Sequence, residues 1–120
     1  MPFDFEQLEV YQKALALIDD VYSLTQSFPS EERFGLIAQL RRAAISIALN
    51  IGEGSGRTKR DFHHFLRNAR CSCYECAAVL QIAQSRSYLS QERAQRCVGQ
   101  LIDISKMISG LMRSLGGHRP

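Results

Sequence analysis

The three prolines of this 120-residue chain stand at positions 2, 29 and 120, so none interrupts the stretch between residues 30 and 119. Because a proline inside a helix removes a backbone hydrogen bond and clashes with the preceding turn, this spacing leaves room for long helices. Turn-forming residues occur near residues 28–30, 54–56 and 85–90, and each group is followed by a residue that can cap a helix: Ser30, Thr58 and Ser90. We therefore predict helices over about residues 5–27, 31–53, 59–86 and 91–115, and no strand.

Four long helices with short connections favour antiparallel neighbours, so the predicted fold is all-α, an up-down-up-down four-helix bundle. Residues 1–120 fit a single domain, with 45% hydrophobic and 22% charged residues. No apolar run approaches the roughly 20 residues that cross a bilayer, and the first residues carry acids where a signal peptide carries bases. We expect a cytoplasmic protein without a membrane partner.

The first two helices carry more apolar surface than one bundle can bury. Helix 1 has two parallel apolar stripes, Leu8, Tyr11, Leu15, Ile18 and Tyr22, and beside them Val10, Ala14, Leu17, Val21, Leu24 and Phe28. Helix 2 confines its polar residues to one arc of about 80°, namely Gln39, Arg42, Ser46 and Asn50. Large exposed apolar patches are rare on monomers, so we expect a homo-oligomer, a second copy of the chain being the simplest cover. The alternative is a monomer with an apolar groove.

The net charge of +3 conceals an uneven distribution: residues 1–32 hold seven acids and one base, whereas residues 33–70 hold eight bases and two acids. At helical spacing, one side of helix 3 collects Arg60, His63, His64, Arg67 and Arg70, followed by Cys71 and Tyr74. We use the name basic ridge for Arg57, Lys59, Arg60, Arg67, Arg70 and Tyr74. Guanidinium groups bind phosphates and a tyrosine can stack on a base, so the ridge is a candidate nucleic-acid site. The alternative is a solvated face that the acidic first helix partly neutralises.

Other patterns point away from catalysis. Cys73 and Cys76 match a C-x-x-C motif, but they stand in mid-helix without a second pair, so we interpret them as core residues, with Cys71 facing away. The adjacent His63 and His64 diverge by about 100° on a helix, and neither has a carboxylate partner one turn later. We predict no metal, no cofactor and no enzymatic activity.

Arg41 falls inside the apolar arc of helix 2, with Ile37, Ala44 and Ala48 as neighbours. A buried guanidinium requires a carboxylate or several carbonyl groups. We predict a structural role for Arg41, paired with Glu53 or with an acid of helix 1.

Helix 2 and its exit carry a recognisable motif. It contains Gln39, Arg41, Arg42, Ser46, Asn50, Glu53, Gly54, Gly56 and Arg57, and similar short matches extend over most of residues 5–90. This pattern resembles the signature of the bacterial rRNA intervening-sequence family of four-helix-bundle proteins. Two departures are Gly52, where the pattern has alanine, and Cys71-Ser72-Cys73, where it has glycine, serine and an apolar residue.

The resemblance implies a homopentameric ring, so the expected fold is a four-helix bundle assembling into such a ring. Some members of this family are encoded inside inserted segments of large-subunit rRNA genes and have no settled activity. A related branch, the accessory variability determinant of diversity-generating retroelements, is a basic pentamer that binds nucleic acid and a reverse transcriptase. The resemblance thus implies self-assembly, RNA or DNA as ligand, and a reverse transcriptase as a further partner.

The matching positions include Arg41, Arg42, Asn50, Glu53, Gly54 and Arg57, although the family supplies no demonstrated role for each. On physical grounds we interpret Asn50 and Glu53 as residues that lock the exit of helix 2, and Gly54 and Gly56 as residues that permit the turn.

Two functions remain open on the sequence. The favoured hypothesis is a non-enzymatic homo-oligomeric accessory protein that binds RNA or DNA by electrostatic attraction. The alternative is a protein–protein interaction scaffold. Only the first predicts binding whose affinity falls steeply with salt.

Overall fold

The computed structural model describes residues 3–116 and contains four α-helices. They are α1 (Glu9–Thr25), α2 (Leu36–Ser55), α3 (Lys59–Ser85) and α4 (Gln91–Ser114). Short 3-10 helices at Asp4–Gln7 and Ser30–Glu32 precede α1 and α2. No strand occurs among residues 3–116, so the predicted all-α class with four helices is confirmed.

The helices form a bundle in which each packs against two neighbours, in the cyclic order α1, α2, α3, α4. Neighbouring helices are antiparallel, because cross-helix hydrogen bonds join residues that ascend along one helix to residues that descend along the next. These bonds join Gln39 to Glu75, Ser72 to Ser46, Arg41 to Thr25, Arg70 to Ser109, Gln100 to Asp20 and Arg93 to Ser27. The up-down-up-down arrangement follows from this order.

All four helices contribute aliphatic side chains to one core. The largest fully buried ones include Leu17, Leu40, Ile47, Ile51, Leu66, Leu80, Ile104, Ile108 and Met112. Burial of such side chains is the main favourable contribution to folding, at about 1.5–3 kcal/mol for each relative to exposure.

The starts of α3 and α4 confirm the predicted caps, because the hydroxyl of Thr58 accepts from Asp61 N (3.2 Å) and that of Ser90 from Arg93 N (3.2 Å). The first two helices start later than predicted. Helix 1 is interrupted at Leu8, whose backbone is extended (φ −72°, ψ 127°). The predicted Ser30 cap is wrong: Ser30 begins a 3-10 turn, and Glu32 Oε1 accepts from the N–H of Leu36 (3.1 Å) at the true start of α2.

The exit of α2 also differs from the prediction. The helix continues through Gly54 to Ser55, and Gly54 is buried against α3. A Cβ atom at Gly54 would lie 2.5 Å from Cβ of Phe65 and 3.0 Å from Cδ1 of Phe62. Gly56 has φ −84°, a conformation open to any residue. The role predicted for these glycines was therefore wrong: Gly54 allows two helices to approach closely, and no turn at Gly56 requires glycine.

Candidate nucleic-acid interface

The first turns of α3 form an open basic depression. The Thr58 cap fixes the helix start, so that Arg60, His64 and Arg67 follow on its solvent side, all three exposed. With Asp61 and His63 they line a depression of about 420 Å³. Arg60 and Arg67 are one heptad apart, about 10.5 Å along the helix axis. Two guanidinium groups at this spacing can each contact a phosphate of the same nucleic-acid strand.

The cations of this depression are not neutralised by the acidic first helix. The ion pairs among residues 3–116 are Arg57 with Glu53 (3.3 Å) and Arg96 with Glu92 (3.4 Å). In the same part of the chain, Lys59, Arg60 and Arg67 have no carboxylate oxygen within 4.0 Å. Within the described part of the chain, Asp61 is the one acid that lines the depression. The positive charge of this site therefore remains available to an anion.

Two members of the basic ridge are held by the protein itself. Arg57 pairs with Glu53 on the preceding turn, and its guanidinium carbon lies 5.0 Å from the centre of the Phe65 ring. Arg70 is half-buried and donates from Nη1 to the hydroxyl of Ser109 on α4 (3.0 Å). The structure thus divides the ridge into the exposed group Lys59, Arg60 and Arg67 and the two partly committed arginines. Tyr74 is 66% exposed at the far end.

The helical spacing predicted that His63 projects on the same side of α3 as the basic ridge, and this prediction is wrong. The side chain is buried, with 3% of its surface exposed, although it also lines the depression. His63 is one heptad before Arg70, which contacts α4, so both lie on the side of α3 that faces α4. Helical spacing alone could not distinguish the side of α3 that contacts α4 from the side that faces solvent, because it does not show where the fourth helix packs.

The structure buries Cys73 and Cys76 and exposes Cys71, as the helical spacing predicts. Burial raises the pKa of the Cys73 thiol to about 12 and that of Cys97 to about 11, and it also raises the pKa of Cys76. Protonated, inaccessible thiols are poor nucleophiles and poor metal ligands. Among residues 3–116 no group of three or more histidine, cysteine or acidic side chains could hold a metal ion.

Arg41 has a different partner from the one predicted. It is half-buried, its Nε donates to Oγ1 of Thr25 (2.9 Å), and its guanidinium lies 4.3 Å above the ring of Tyr22. A carboxylate partner was therefore the wrong prediction, because a hydroxyl acceptor and an aromatic face satisfy the group instead. Sequence reasoning missed Thr25 and Tyr22, although antiparallel packing brings the last turn of α1 beside the first turns of α2.

The sequence matches the family model described as 23S rRNA-intervening sequence protein over residues 6–110. The chain belongs to this family. Its fold is similar to that of a crystal structure of a protein with unknown function from the S23 ribosomal protein family of Bacteroides thetaiotaomicron VPI-5482. The TM-score is 0.80 at 22% identity, over 87% of this chain and 95% of that chain, which shows a shared fold. No curated protein matches the sequence.

Several motif positions of this intervening-sequence protein form a polar contact between α2 and α3. Asn50 donates from Nδ2 to the carbonyl of Ser46 (2.8 Å) and to its hydroxyl (3.0 Å), and the hydroxyl of Ser72 donates to that of Ser46 (2.9 Å). Asn50 thus bonds back to Ser46 one turn earlier in α2 and not to the exit of the helix, and Ser46 in turn contacts Ser72, which sequence reasoning had not singled out as a partner. Arg42 and Glu53 are exposed, and Glu53 holds Arg57.

The intervening-sequence protein leaves part of its apolar surface exposed. On α1, the stripe from Val10 to Leu24 is the bundle core, whereas the second stripe remains accessible, with Leu15 38% and Tyr22 40% exposed. Leu49 on α2 is 63% exposed. We use the name α1–α2 face for six apolar residues of these helices that are exposed or half-buried: Leu15, Ile18, Tyr22, Ala38, Ile45 and Leu49. Among residues 3–116 no helix is both long and apolar enough to cross a membrane.

Proposed function

We propose that this intervening-sequence protein binds RNA or DNA without enzymatic action, through contacts with phosphates, and that it does so as a homo-oligomer. One observation carries the proposal: Arg60 and Arg67 are exposed on one line of α3, with no carboxylate partner among residues 3–116. Packing does not require their charge. Each phosphate that they neutralise releases bound counterions, which is the main source of sequence-independent affinity for nucleic acid.

The family supports this proposal through its name, which associates its members with 23S rRNA. The structurally similar Bacteroides protein carries the name of a ribosomal protein family together with the description of unknown function. Neither name assigns a ligand to this chain, and the proposal therefore depends on its own surface charge.

Self-association would strengthen weak phosphate contacts. The α1–α2 face includes Leu49, which is 63% exposed, and a second copy would remove such side chains from water. Every copy in the assembly adds another Arg60 and Arg67, so that one strand contacts several sites and gains avidity. A pentamer is favoured by the resemblance alone.

Salt titration of nucleic-acid binding tests the proposal. Fluorescence anisotropy would follow labelled RNA and DNA of matched mixed sequence at 50 and 200 mM salt. If four phosphates are neutralised, affinity should fall by about a hundredfold between these concentrations, with weak sequence preference. The comparison of the two labelled probes shows which nucleic acid is preferred.

A charge-reversal pair locates the site. The double variant Arg60→Glu and Arg67→Glu should abolish binding, because it replaces the two exposed guanidinium groups of the depression by carboxylates. The matched control is Arg33→Glu with Arg96→Glu, both exposed at the other end of the bundle. Each pair changes the net charge from +3 to −1. Equal loss in both variants would show that only total charge matters, and no loss in the first would refute the site.

The scaffold hypothesis is the second candidate, and one observation favours it. Phe34 is 90% exposed in the turn before α2, at the opposite end of the bundle from the depression. Exposed aromatic side chains commonly anchor protein–protein contacts. If the protein binds neither RNA nor DNA at 50 mM salt, this candidate replaces the first. A reverse transcriptase as its partner stays a prediction.

A further inference from the structure

An apolar groove runs along the seam between α3 and α4, next to the exposed cations of α3. Its volume is about 310 Å³, and residues of both helices line it, among them Tyr74, Ala77, Val98, Ile102 and Lys106. Tyr74 is 66% and Ile102 49% exposed, so two large apolar side chains border the groove without covering it. Such surface is costly in water unless a ligand or partner covers it.

The groove continues toward the α3–α4 turn. A second stretch of about 300 Å³ shares Ala77 and Val98 with the first, so the two are continuous. The amide side chains of Gln81, Gln84 and Gln95 line this stretch. Amides both donate and accept hydrogen bonds, as the edges of nucleobases do. The seam therefore combines apolar surface with groups that can pair with base edges.

The charged side chains along the α3–α4 seam are positive. Lys106 borders the groove, and Arg70 and Arg67 precede Tyr74 on α3. Within the described residues, no carboxylate lines either stretch of the groove. The exposed Glu75 points the other way, toward Gln39 on α2. The cationic border favours a polyanion over a protein surface as the occupant.

The spacing also suits one strand of nucleic acid. Tyr74 is one heptad beyond Arg67, about 10.5 Å along the helix axis. In a strand with stacked bases this distance is the rise of about three nucleotides at 3.4 Å each, and a strand with unstacked bases spans it with fewer. A strand whose phosphates lie on Arg60 and Arg67 would reach the groove within a few nucleotides. Its bases must be unpaired to stack there, since a duplex keeps them inside.

We infer that the α3–α4 seam binds single-stranded nucleic acid, with phosphates on Arg60, Arg67 and Lys106 and unstacked bases against Tyr74 and Ile102. The inference rests on the proposed function and narrows its ligand to unpaired strands. A second copy of this chain is the competing occupant of the groove, and the experiment separates the two.

The experiment compares a labelled uridine oligonucleotide with a blunt RNA duplex of equal length. The single strand should bind about tenfold more tightly, and Tyr74→Ala should remove about tenfold of its affinity by deleting one stacking surface. Tyr74→Phe keeps the ring and should bind like the parent. Duplex affinity should be the same in all three proteins. Because Tyr74 is mostly exposed, none of these changes should unfold the helix.

The possible failures are distinguishable. If neither probe binds the parent, the proposed function fails and this inference fails with it. If both probes bind equally and Tyr74→Ala changes nothing, while Arg60→Glu with Arg67→Glu abolishes binding, only the seam is refuted and the proposed function stands. If Tyr74→Ala lowers the mass of the assembly in light scattering, a second copy occupies the groove and the inference is wrong.

Discussion

Gly54 is the residue at which side-chain size most directly limits the fold. It lies where α2 meets α3, and the atoms that a methyl group would meet belong to Phe65 and Phe62. We expect Gly54→Ala to lower the free energy of unfolding by about 1–3 kcal/mol, as overpacked core positions do. The loss should appear in urea titration despite the better helix propensity of alanine, which favours the variant by about 1 kcal/mol.

Gly99 on α4 provides the control for Gly54. Apart from its chain neighbours and the backbone of its own helix, no atom lies within 4 Å of the position that its Cβ would occupy, so Gly99→Ala should raise stability by up to about 1 kcal/mol. The same substitution is thus expected to lower the free energy of unfolding at Gly54 and to raise it at Gly99. Gain of stability at both positions would contradict the close approach of α2 and α3.

The space around Gly52 bears on one of the two departures from the family pattern. A Cβ atom there would lie 3.5 to 3.6 Å from ring atoms of Phe5, which is ordinary van der Waals contact. Alanine, the residue of the family pattern, would therefore fit. The sequence could show which glycines differ from the pattern, but not which of them are crowded, because crowding depends on the aromatic residues of another element.

Among the predicted helices, α2 differs most clearly from the prediction at its start, where Ser30 was expected to be the cap. Ser30 has the residue type of a cap, yet Glu32 performs that role with one carboxylate oxygen and accepts from the hydroxyl of Tyr88 (3.0 Å) with the other. Arg86 donates from Nε to the same hydroxyl (3.1 Å). One carboxylate thus connects the start of α2 to the turn between α3 and α4. No local propensity predicts a cap that depends on a tyrosine far along the chain.

This arrangement predicts an unequal pair of substitutions. Glu32→Ala should lower the free energy of unfolding by about 1–2 kcal/mol, because it leaves the N–H of Leu36 and the Tyr88 hydroxyl without their acceptor. Ser30→Ala should change it by less than about 0.5 kcal/mol, since the exposed serine caps nothing. Chemical denaturation followed by circular dichroism measures both. A larger cost for Ser30→Ala would restore the cap that the sequence had suggested.

The α3 and α4 boundaries were predictable because their signals are local. Thr58 and Ser90 each stand three residues before the backbone N–H that they bind, a spacing visible in the sequence. The basic ridge was predictable in its sign and position for the same reason, since Arg60 and Arg67 share a helix face. The sequence could not predict which arginines of the ridge are held by the protein itself, because the contact of Arg70 with Ser109 depends on the packing of α4.

At the scale of the whole molecule, the basic depression and the exposed apolar side chains of α1 and α2 occupy different parts of the surface. The basic depression lies at the end of the bundle where α3 begins, whereas the α1–α2 face lies along another side. An assembly that covers the α1–α2 face would leave Arg60 and Arg67 accessible. The proposed nucleic-acid binding and the proposed self-association would therefore use separate residues of one chain, so that substitutions can target either surface.

Leu49→Asp tests self-association without disturbing the fold. Leu49 is 63% exposed in the single chain, so aspartate there is solvated in a monomer but would lie unpaired in an apolar contact between copies. We expect light scattering to give a multiple of 13.6 kDa for the parent and 13.6 kDa for Leu49→Asp, with unchanged helical circular dichroism. Leu17→Asp is no substitute, because Leu17 is in the core and its loss would unfold the chain.

Gln91→Asp is the matched control, because it adds the same charge at an exposed position of α4 and should leave the mass unchanged. A parent mass of 13.6 kDa at micromolar concentration would refute the assembly. Where Leu49→Asp gives a folded monomer, its affinity for a long RNA should fall toward that of one isolated site, while Arg60 and Arg67 remain intact. That loss would arise from avidity alone, since no residue of the basic depression has changed.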